Sequence, residues 1–278
     1  MKFTKMVAAG NDFIIFNGFE YTIKDYEKLA LRCCDRHFSV GGDGIMICEK
    51  SSWADIKMVY YNSDGSEGEM CGNGIRCFAK YVYENELIDI KTFTIETLSG
   101  IKTVELETDK DNKVTSVKVN MGYPIFESTQ IPVDINKKKV LLENLNIGDK
   151  KIQFSSVLVG VPHTVIFVDN IKEIDINNVG RKIELNKIFP KKTNVNFVEI
   201  IDKGHINIYT WERGAGRTLG CGTGSCASVV IGNILGKLNK KVEVNMEGGK
   251  IQVCLNDNYD IYMKGSAETI CIGEFLNL

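Results

Sequence analysis

The sequence predicts an α+β protein built from two halves of similar plan. A Cys-Gly-[Asn/Thr]-Gly segment occurs twice, at residues 71–74 and 221–224, and each copy opens a stretch with helical periodicity. Turn-separated strand patterns precede and follow both copies in the same order. One long helix among strands, repeated once, is typical of two domains that arose by duplication. We place the boundary near residues 120–124, where the strand pattern gives way to Gly and Pro.

The first half has strand-like patterns around two predicted helices. The patterns lie at residues 2–6, 13–16, 45–48, 57–61, 92–97, 101–107 and 114–119. The first helix covers 25–38, which has apolar residues on one face. The second runs from Cys71 to about Glu86, because its apolar residues follow i, i+3, i+4, i+7 spacing.

The second half repeats this plan. Its strand-like patterns lie at residues 151–157, 164–168, 194–201, 206–211, 242–246, 250–255 and 261–263. One helix is predicted at 178–186, and a second runs from the Cys221 segment through Leu235.

The composition favours a folded protein with a sizeable core, since the 278 residues are 44% hydrophobic and 25% charged. The formal net charge of −2 gives no overall attraction to nucleic acid or to an anionic membrane. No apolar stretch approaches the ~20 residues needed to cross a bilayer. The first residues reach the turn at 10–12 too soon to hold the apolar segment of a signal peptide. We therefore expect a cytoplasmic protein with no nucleic-acid or membrane partner.

The nine cysteines and three histidines raise the question of disulfides or a metal. An odd cysteine count in a long chain without a signal segment does not indicate a disulfide framework. The chain has no Cys-x-x-Cys pair, so we expect no metal site. The Gly-rich stretch at 214–220 lacks the Lys-Ser/Thr of a phosphate-binding loop. No dinucleotide fingerprint or convincing pyridoxal-phosphate lysine is visible, and we expect no cofactor.

The two Cys-Gly segments are the strongest indication of chemistry. A cysteine at a helix N-terminus feels the positive end of the helix dipole, which favours its thiolate. Two such cysteines, Cys71 and Cys221, suggest two facing thiols that take a proton from one side of a carbon and return it from the other. The alternative for each segment is a tight strand-to-helix turn that ends in a buried thiol.

Racemisation of an amino acid also requires groups that bind its carboxylate and ammonium. The backbone N–H groups after each cysteine, at the start of a helix, suit a carboxylate. These belong to Gly72, Asn73, Gly222 and Thr223. Glu212 is a candidate anchor for the α-ammonium group. A cleft that closes on the substrate would exclude water and strengthen these interactions.

Six segments, taken in order, resemble one known family. They lie at 10–13, 62–67, 70–77, 193–198, 211–216 and 221–224, and the resemblance covers nearly the whole chain. The family is that of the diaminopimelate epimerases, which epimerise an amino acid without pyridoxal phosphate. The resemblance implies conversion of LL-diaminopimelate to the meso form, which serves lysine and cell-wall precursor synthesis.

The resemblance also implies roles for individual residues. Cys71 and Cys221 would be the acid–base pair on opposite faces of the substrate Cα. The other substrate-binding residues implied are Asn11, Asn62, Asn194 and Arg213, the last three chiefly at the distal amino-carboxylate end. The planar guanidinium of Arg213 suits a carboxylate, with which it pairs bidentately.

The fold implied by the resemblance consists of two pseudo-symmetric halves. Each half is a strand barrel around a long central helix, and the active site lies in the cleft between the halves. Residues 1–120 form the N-terminal domain, to which 264–278 return, and residues 121–263 form the C-terminal domain. A homodimer is expected.

Departures from the family pattern leave alternatives open. Val161 stands where family members often carry a substrate-contacting Asn, and Arg217 stands where an acidic residue is usual. Gly220 replaces a common Ala, a smaller change. A racemase of the same fold acting on another amino acid is therefore one alternative. The alternative of another class is a non-catalytic thiol protein that binds metal or senses redox state, in which Cys71 and Cys221 would form a disulfide on oxidation.

Overall fold

The structure of the chain, a computed structural model, describes residues 1–148 and 150–276. The chain divides into two compact units. The first comprises Met1–Asn120 with Lys264–Leu278, and the second comprises Met121–Met263. Both units combine a sheet rich in strands with α-helices, so the predicted α+β class is confirmed.

The strands and helices occur in the following order. The strands are β1 (Lys2–Ala8), β2 (Asn11–Asn17), β3 (Gly44–Glu49), β4 (Ile56–Asn62), β5 (Thr92–Thr97), β6 (Gly100–Thr108), β7 (Val114–Gly122), β8 (Val140–Ile147), β9 (Lys150–Val159), β10 (Val161–Val168), β11 (Asn194–Asp202), β12 (His205–Glu212), β13 (Gly216–Thr218), β14 (Lys241–Met246), β15 (Gly249–Leu255), β16 (Ile261–Gly265) and β17 (Glu268–Glu274). The α-helices are α1 (Tyr26–Cys34), α2 (Gly72–Glu84), α3 (Ile176–Glu184) and α4 (Gly222–Ile234). The two helices predicted after the cysteine segments are confirmed as α2 and α4.

The first unit pairs its strands in the order β17-β1-β2-β3-β4-β5-β6-β7. The β2–β3 and β4–β5 pairs are parallel, and the other pairs are antiparallel. Strand β17, from the end of the chain, lies beside β1, with Lys2 opposite Glu274. The end of the chain thus belongs to the sheet of the first unit.

The second unit repeats the same pattern of strand directions. Its order is β8-β9-β10-β11-β12-β14-β15, in which β10–β11 and β12–β14 are parallel and the other pairs are antiparallel. Strand β8 takes the position that β17 takes in the first unit, and β13 is added as a short partner of β12. The two units therefore share one topology, permuted by one strand.

The helices α2 and α4 lie in the interior of their units. Helix α4 contains mostly small and apolar residues, and its side chains are buried from Ser225 to Gly232. A helix that is apolar on all sides is a core helix rather than a surface helix. Helix α4 packs on β9, β10, β11 and β15, whereas α2 packs on β1, β2 and β6. Each sheet thus surrounds the helix that begins at its cysteine.

The helices α1 and α3 are shorter and begin at aspartate caps. The Asp25 carboxylate accepts a bond from Lys28 N (3.0 Å), and the Asp175 carboxylate accepts one from Asn178 N (3.3 Å). Helix α1 ends at Cys34, before the predicted residue 38, because Asp35 is extended and its carboxylate binds the following backbone N–H groups. Strands β8, β13 and β17 lie outside the predicted patterns. Strand β8 is interrupted by a register shift near Leu142, whose φ is +53°.

Within residues 1–148 and 150–276, the structure contains no helix that is long and apolar enough to span a membrane.

Candidate functional site

Cys71 is the residue that precedes helix α2. Its backbone is extended (φ −121°, ψ 123°), its side chain is half-buried, and it forms no side-chain cap on the helix. Gly74, three residues on, packs so closely that a Cβ there would overlap the methyl group of Met46 and lie 3.3 Å from the ring of Phe13. Glycine at this position therefore lets the first turn of α2 sit directly on an apolar layer of the sheet.

A chain of hydrogen bonds leads from the first turn of α2 to the loop before β3. Arg76 Nη2 donates to Asn73 Oδ1 (3.0 Å), and Asn73 Nδ2 donates to Asn11 Oδ1 (2.7 Å). Asn11 Nδ2 then donates to Asp43 Oδ2 (2.8 Å). Arg76 also donates to the backbone oxygen of Gly72 (3.0 Å). Asn11, Gly72 and Asn73, all expected to bind substrate, are thus brought together beside Cys71.

Asn62, another expected substrate residue, ends strand β4. Its Nδ2 donates to Ser66 Oγ (3.0 Å), and its Oδ1 accepts a bond from Tyr60 (2.6 Å). The next residue, Ser63, donates its N–H to Asp43 O (3.0 Å). The loop that carries Asn62 is therefore tied to the loop that holds Asn11.

Cys221 occupies the equivalent position before helix α4, with nearly the same backbone (φ −120°, ψ 109°). It is more buried than Cys71, with 6% of its surface exposed. Its Sγ lies 3.4 Å from Glu212 Oε2 and 3.5 Å from Thr223 Oγ1. Glu212, expected to bind the α-ammonium group, thus contacts the thiol itself.

The surroundings of Cys221 raise the pKa of its thiol well above the ordinary value. Burial is the largest cause, and the negative charge of Glu212 acts in the same direction. Hydrogen bonds from Thr223 and from the Gly224 N–H lower the pKa, but they are outweighed. The sequence-based expectation of a lowered thiol pKa is therefore wrong for Cys221, because burial and a carboxylate exceed the effect of the helix terminus.

Beneath Gly224 lies a buried polar cluster that the pattern of the sequence does not reveal. A Cβ on Gly224 would overlap Asn196 Oδ1. Asn196 Nδ2 lies 3.2 Å from His163 Nδ1 and donates to Thr164 O (3.1 Å), while Thr210 Oγ1 donates to Asn196 Oδ1 (3.2 Å). His163 is wholly buried, so burial, with a smaller effect of Arg213, lowers its pKa to about 3. It is therefore a neutral hydrogen-bonding residue.

The two units differ at this layer. Strands β2 and β3 begin their pairing with Phe13 opposite Gly44, whereas β10 and β11 begin with His163 opposite Asn194. Two residues further along lie Met46 and Asn196, which lie beneath the two helix glycines. The helix of Cys71 thus rests on Phe13 and Met46, whereas that of Cys221 rests on Asn196, which contacts His163.

Asn194 and Arg213 lie together in the second unit. Asn194 Oδ1 accepts a bond from Arg213 N (2.8 Å), and Asn194 Nδ2 donates to Pro162 O (3.1 Å). The exposed Arg213 guanidinium donates to Lys191 O (3.0 Å). A guanidinium has five donors, so this bond leaves others for a ligand carboxylate.

The buried Glu184, on α3, holds the loop that carries Glu212 and Arg213. Its carboxylate accepts a bond from Trp211 Nε1 (2.7 Å) and one from Gly214 N (3.3 Å). These two donors flank the Glu212–Arg213 pair. Spacing along the sequence gives no sign of Glu184, because the contact joins α3 to a turn some thirty residues later.

Among the departures from the family pattern, Arg217 is explained by its neighbours. Its guanidinium donates to both carboxylate oxygens of Glu247 (3.1 and 2.6 Å) and lies over the ring of Tyr209. Val161 begins β10 opposite Val159 and supplies no side-chain hydrogen bond. Among the described residues, no group of three or more His, Cys, Asp or Glu side chains is arranged to hold a metal ion.

Comparison with known families matches residues 3–127 and 155–270 to the family described as diaminopimelate epimerase. The diaminopimelate epimerase of Caldanaerobacter subterraneus subsp. tengcongensis is 47% identical over 274 residues, which is 99% of each chain. That of Alkaliphilus metalliredigens is 46% identical over 278 residues, which is 100% of this chain and 98% of the relative.

Solved structures with the same fold include more distant proteins. A hydroxyproline epimerase from Agrobacterium vitis superposes with a TM-score of 0.70 at 15% identity, covering 98% of this chain and 91% of the other. A PhzF-family phenazine biosynthesis protein from Bacillus anthracis gives 0.69 at 17% identity, covering 100% and 99%. At these identities the likeness concerns the fold. The family match and the full-length relatives at 46% and 47% identity show that this chain belongs to the diaminopimelate epimerase family and is an isomerase.

Proposed function

We propose that this protein converts LL-diaminopimelate to meso-diaminopimelate by proton exchange at Cα between two thiols, Cys71 and Cys221. The observation that carries the proposal is the repeated placement of a cysteine directly before a buried helix, α2 in one unit and α4 in the other. The chain belongs to a family named for this reaction.

The proposed step transfers protons only and leaves the oxidation state unchanged. A thiolate sulfur forms an S–H bond with the α-proton as the Cα–H bond breaks, and the electron pair stays on the substrate. The opposite thiol gives its proton to the other face of Cα, which inverts the centre. The ordinary pKa of a thiol, about 8.5, allows it to serve as either acid or base near neutral pH.

The helix starts supply a binding site for the α-carboxylate. Cys71 and Cys221 both have extended backbones directly before their helices, so the first residues of α2 and α4 follow each thiol immediately. Backbone N–H groups at a helix N-terminus favour an anion. We assign the carboxylate to the N–H groups of Gly72, Asn73, Gly222 and Thr223.

We propose a second role for Glu212, in addition to binding the α-ammonium group. Its contact with Cys221, together with the burial of that thiol, favours the S–H form of Cys221 in the absence of substrate. Cys221 would therefore begin the cycle as the acid, with Cys71 as the base. An ammonium group bound at Glu212 would offset its negative charge and ease ionisation of Cys221 in the reverse direction.

The remaining expected residues would bind the distal end of the substrate. Asn62, Asn194 and Arg213 offer amide and guanidinium groups, which suit the second amino-carboxylate of diaminopimelate. An amino acid without a distal charge would leave these groups unpaired, which disfavours it.

We also propose that the protein is a homodimer that presents strand β17 to its partner. This strand is exposed along almost its whole length, and its apolar residues Ile270 and Ile272 are 58% and 73% exposed. A strand with exposed apolar residues favours association. Sedimentation equilibrium of the protein and of an Ile270→Lys/Ile272→Lys variant tests this, with the variant expected to be monomeric.

The function is tested by assaying reduced protein with LL-diaminopimelate beside a panel of ordinary L-amino acids that includes proline. We expect formation of the meso isomer and no conversion of the others. Conversion of a different amino acid would move the substrate and retain the mechanism, the alternative that Val161 leaves open. No conversion of any substrate would contradict the proposal and favour a non-catalytic thiol protein.

A further inference from the structure

We propose that Asp43 is a positioning residue for the reaction, acting through Asn11 on the site around Cys71. The inference rests on the proposed function, and the observation behind it is a directed chain of hydrogen bonds. The chain begins at Arg76, passes through the amides of Asn73 and Asn11, and ends at Asp43.

The two ends of this chain fix the orientation of both amides. A guanidinium only donates hydrogen bonds, so Asn73 presents its oxygen to Arg76 and its NH₂ to Asn11. An ionised carboxylate only accepts, so Asn11 presents its NH₂ to Asp43 and its oxygen to Asn73. Reversing either amide would set a donor against a donor or an acceptor against an acceptor. The chain therefore has a single direction, set from both ends.

Asp43 is also the point at which three segments of the first unit meet. Its backbone N–H donates to Asp12 O (2.8 Å), and its backbone oxygen accepts from Ser63 N (3.0 Å). Its Oδ2 accepts from Asp12 N (3.2 Å) as well as from Asn11. Its Oδ1 accepts from Arg36 Nη2 (2.9 Å). One residue thus joins the start of β2, the turn before β3 and the loop after β4.

These segments carry two residues that are proposed to bind the substrate. Asn11 lies at the start of β2, and Asn62 lies next to Ser63. Through Asn11 and Asn73, the side chain of Asp43 is also linked to the first turn of α2, where the α-carboxylate of the substrate is proposed to bind. Asp43 contacts Asn11 directly, so we assign its effect on the reaction to the orientation of Asn11.

The test is a double-mutant cycle that measures kcat/KM on LL-diaminopimelate. Asp43→Asn keeps the size of the side chain, but its amide can donate or accept, so it no longer forces Asn11 into one orientation. A hydrogen bond to a charged group contributes enough that we expect about a 10- to 100-fold loss of kcat/KM. In the Asn11→Ala background, Asp43→Asn should cause less than about a 2-fold further loss, because its target is absent.

Conservative and control variants separate positioning from folding. Asp43→Glu keeps a group that only accepts and should restore kcat/KM to within about 10-fold of wild type. Asp55→Asn is the matched control in the same unit. The Asp55 carboxylate also accepts two hydrogen bonds, from the N–H and the hydroxyl of Thr94, both at 2.7 Å. It lies outside the chain of bonds that ends at Asp43. This control should keep the wild-type kcat/KM. Circular dichroism verifies folding, and Asp43→Ser replaces Asp43→Asn in the cycle if the latter does not fold.

The possible outcomes are distinct. Loss in the wild-type background that disappears in the Asn11→Ala background supports the inference. Equal loss in both backgrounds, or no loss in either, overturns it while the proposed function stands, since the wild-type protein is active in the same assay. A wild-type protein inactive on LL-diaminopimelate overturns the proposed function, and this inference with it.

Discussion

The carboxylate of Glu212 lies 3.4 Å from the thiol of Cys221, at the start of the buried helix α4. A carboxylate at this distance accepts the S–H and repels a thiolate. The relationship joins the end of β12 to the start of α4 within one unit. It gives Cys221 a surrounding that favours its protonated form, and its consequences can be measured.

Replacing Glu212 with Gln should lower the pKa of Cys221, because it removes the negative charge that disfavours the thiolate. We expect the midpoint of Cys221 alkylation to move to lower pH. The measurement is the rate of iodoacetamide labelling against pH, followed by peptide mass spectrometry. Glu199→Gln, whose carboxylate binds Asn207 in the same unit, is the control and should leave the midpoint unchanged. A midpoint that stays fixed or rises in Glu212→Gln would contradict this account.

Alanine at the two helix glycines should have unequal effects. At Gly74 the added Cβ meets the terminal methyl of Met46, which is flexible and can move, so we expect a change within about 1 kcal/mol. At Gly224 it meets the oxygen of Asn196, whose amide is fixed by three hydrogen bonds. There we expect a loss of about 2 kcal/mol or more. Urea unfolding of both variants is the measurement, and equal losses would show that the polar layer is not rigid.

Removing the carboxylate of Glu184 should loosen the turn that carries Glu212 and Arg213. Glu184→Ala leaves the Trp211 indole N–H without its acceptor, which costs about 1–3 kcal/mol. We expect lower stability to urea and an emission of Trp211 shifted to longer wavelength, measured in a Trp53→Phe background. Glu173→Ala, which removes an exposed carboxylate bound to Asn170, is the matched control. Wild-type emission and stability in Glu184→Ala would contradict the role of Glu184 in holding this turn.

The buried His163 should make the protein less stable as the pH falls. Its pKa in the folded protein is about 3, below the ordinary 6.5, so below pH 6.5 the unfolded chain binds a proton that the folded chain does not. The contribution of His163 to the free energy of unfolding is complete above pH 6.5. It is lost as the pH falls toward 3, by up to about 1.4 kcal/mol per pH unit. His163→Gln should reduce this slope, whereas His37→Gln, at an exposed position, should retain it. The measurement is the free energy of unfolding from pH 7 to pH 4.5. Equal slopes for His163→Gln and wild type would contradict this role of His163.

The local patterns of the sequence predict much of the fold. The apolar spacing from Ile75 to Val82 predicts α2, and the Cys-Gly segments mark where α2 and α4 begin. Strand β8 is harder to predict, because Leu142 has a positive φ and interrupts the alternation of buried and exposed residues. The spacing of apolar residues and the presence of turn residues depend on neighbouring positions in the chain, so both can be recognised without a structure.

The contacts around the candidate site are harder to predict from the sequence than the fold is. Asn11, Asn73 and Glu212 stand out in the sequence by their place in the motifs. The partners Asp43 and Glu184 do not, because they reach Asn11 and Trp211 across 32 and 27 residues of chain. The same holds for the pKa of Cys221, which depends on burial and on a carboxylate from another strand. Such contacts depend on tertiary structure and not on spacing.

The most direct test of the two-thiol account is deuterium incorporation at Cα of LL-diaminopimelate in D₂O under reducing conditions. Wild-type protein should form meso product that carries deuterium, because the reprotonating thiol holds a solvent-derived hydrogen. Cys71→Ala and Cys221→Ala should each slow this by at least about 100-fold, and Cys254→Ala, at a half-buried position on β15, should match wild type. Wild-type rates in either of the first two variants, or no exchange by the reduced wild-type protein, would contradict the account.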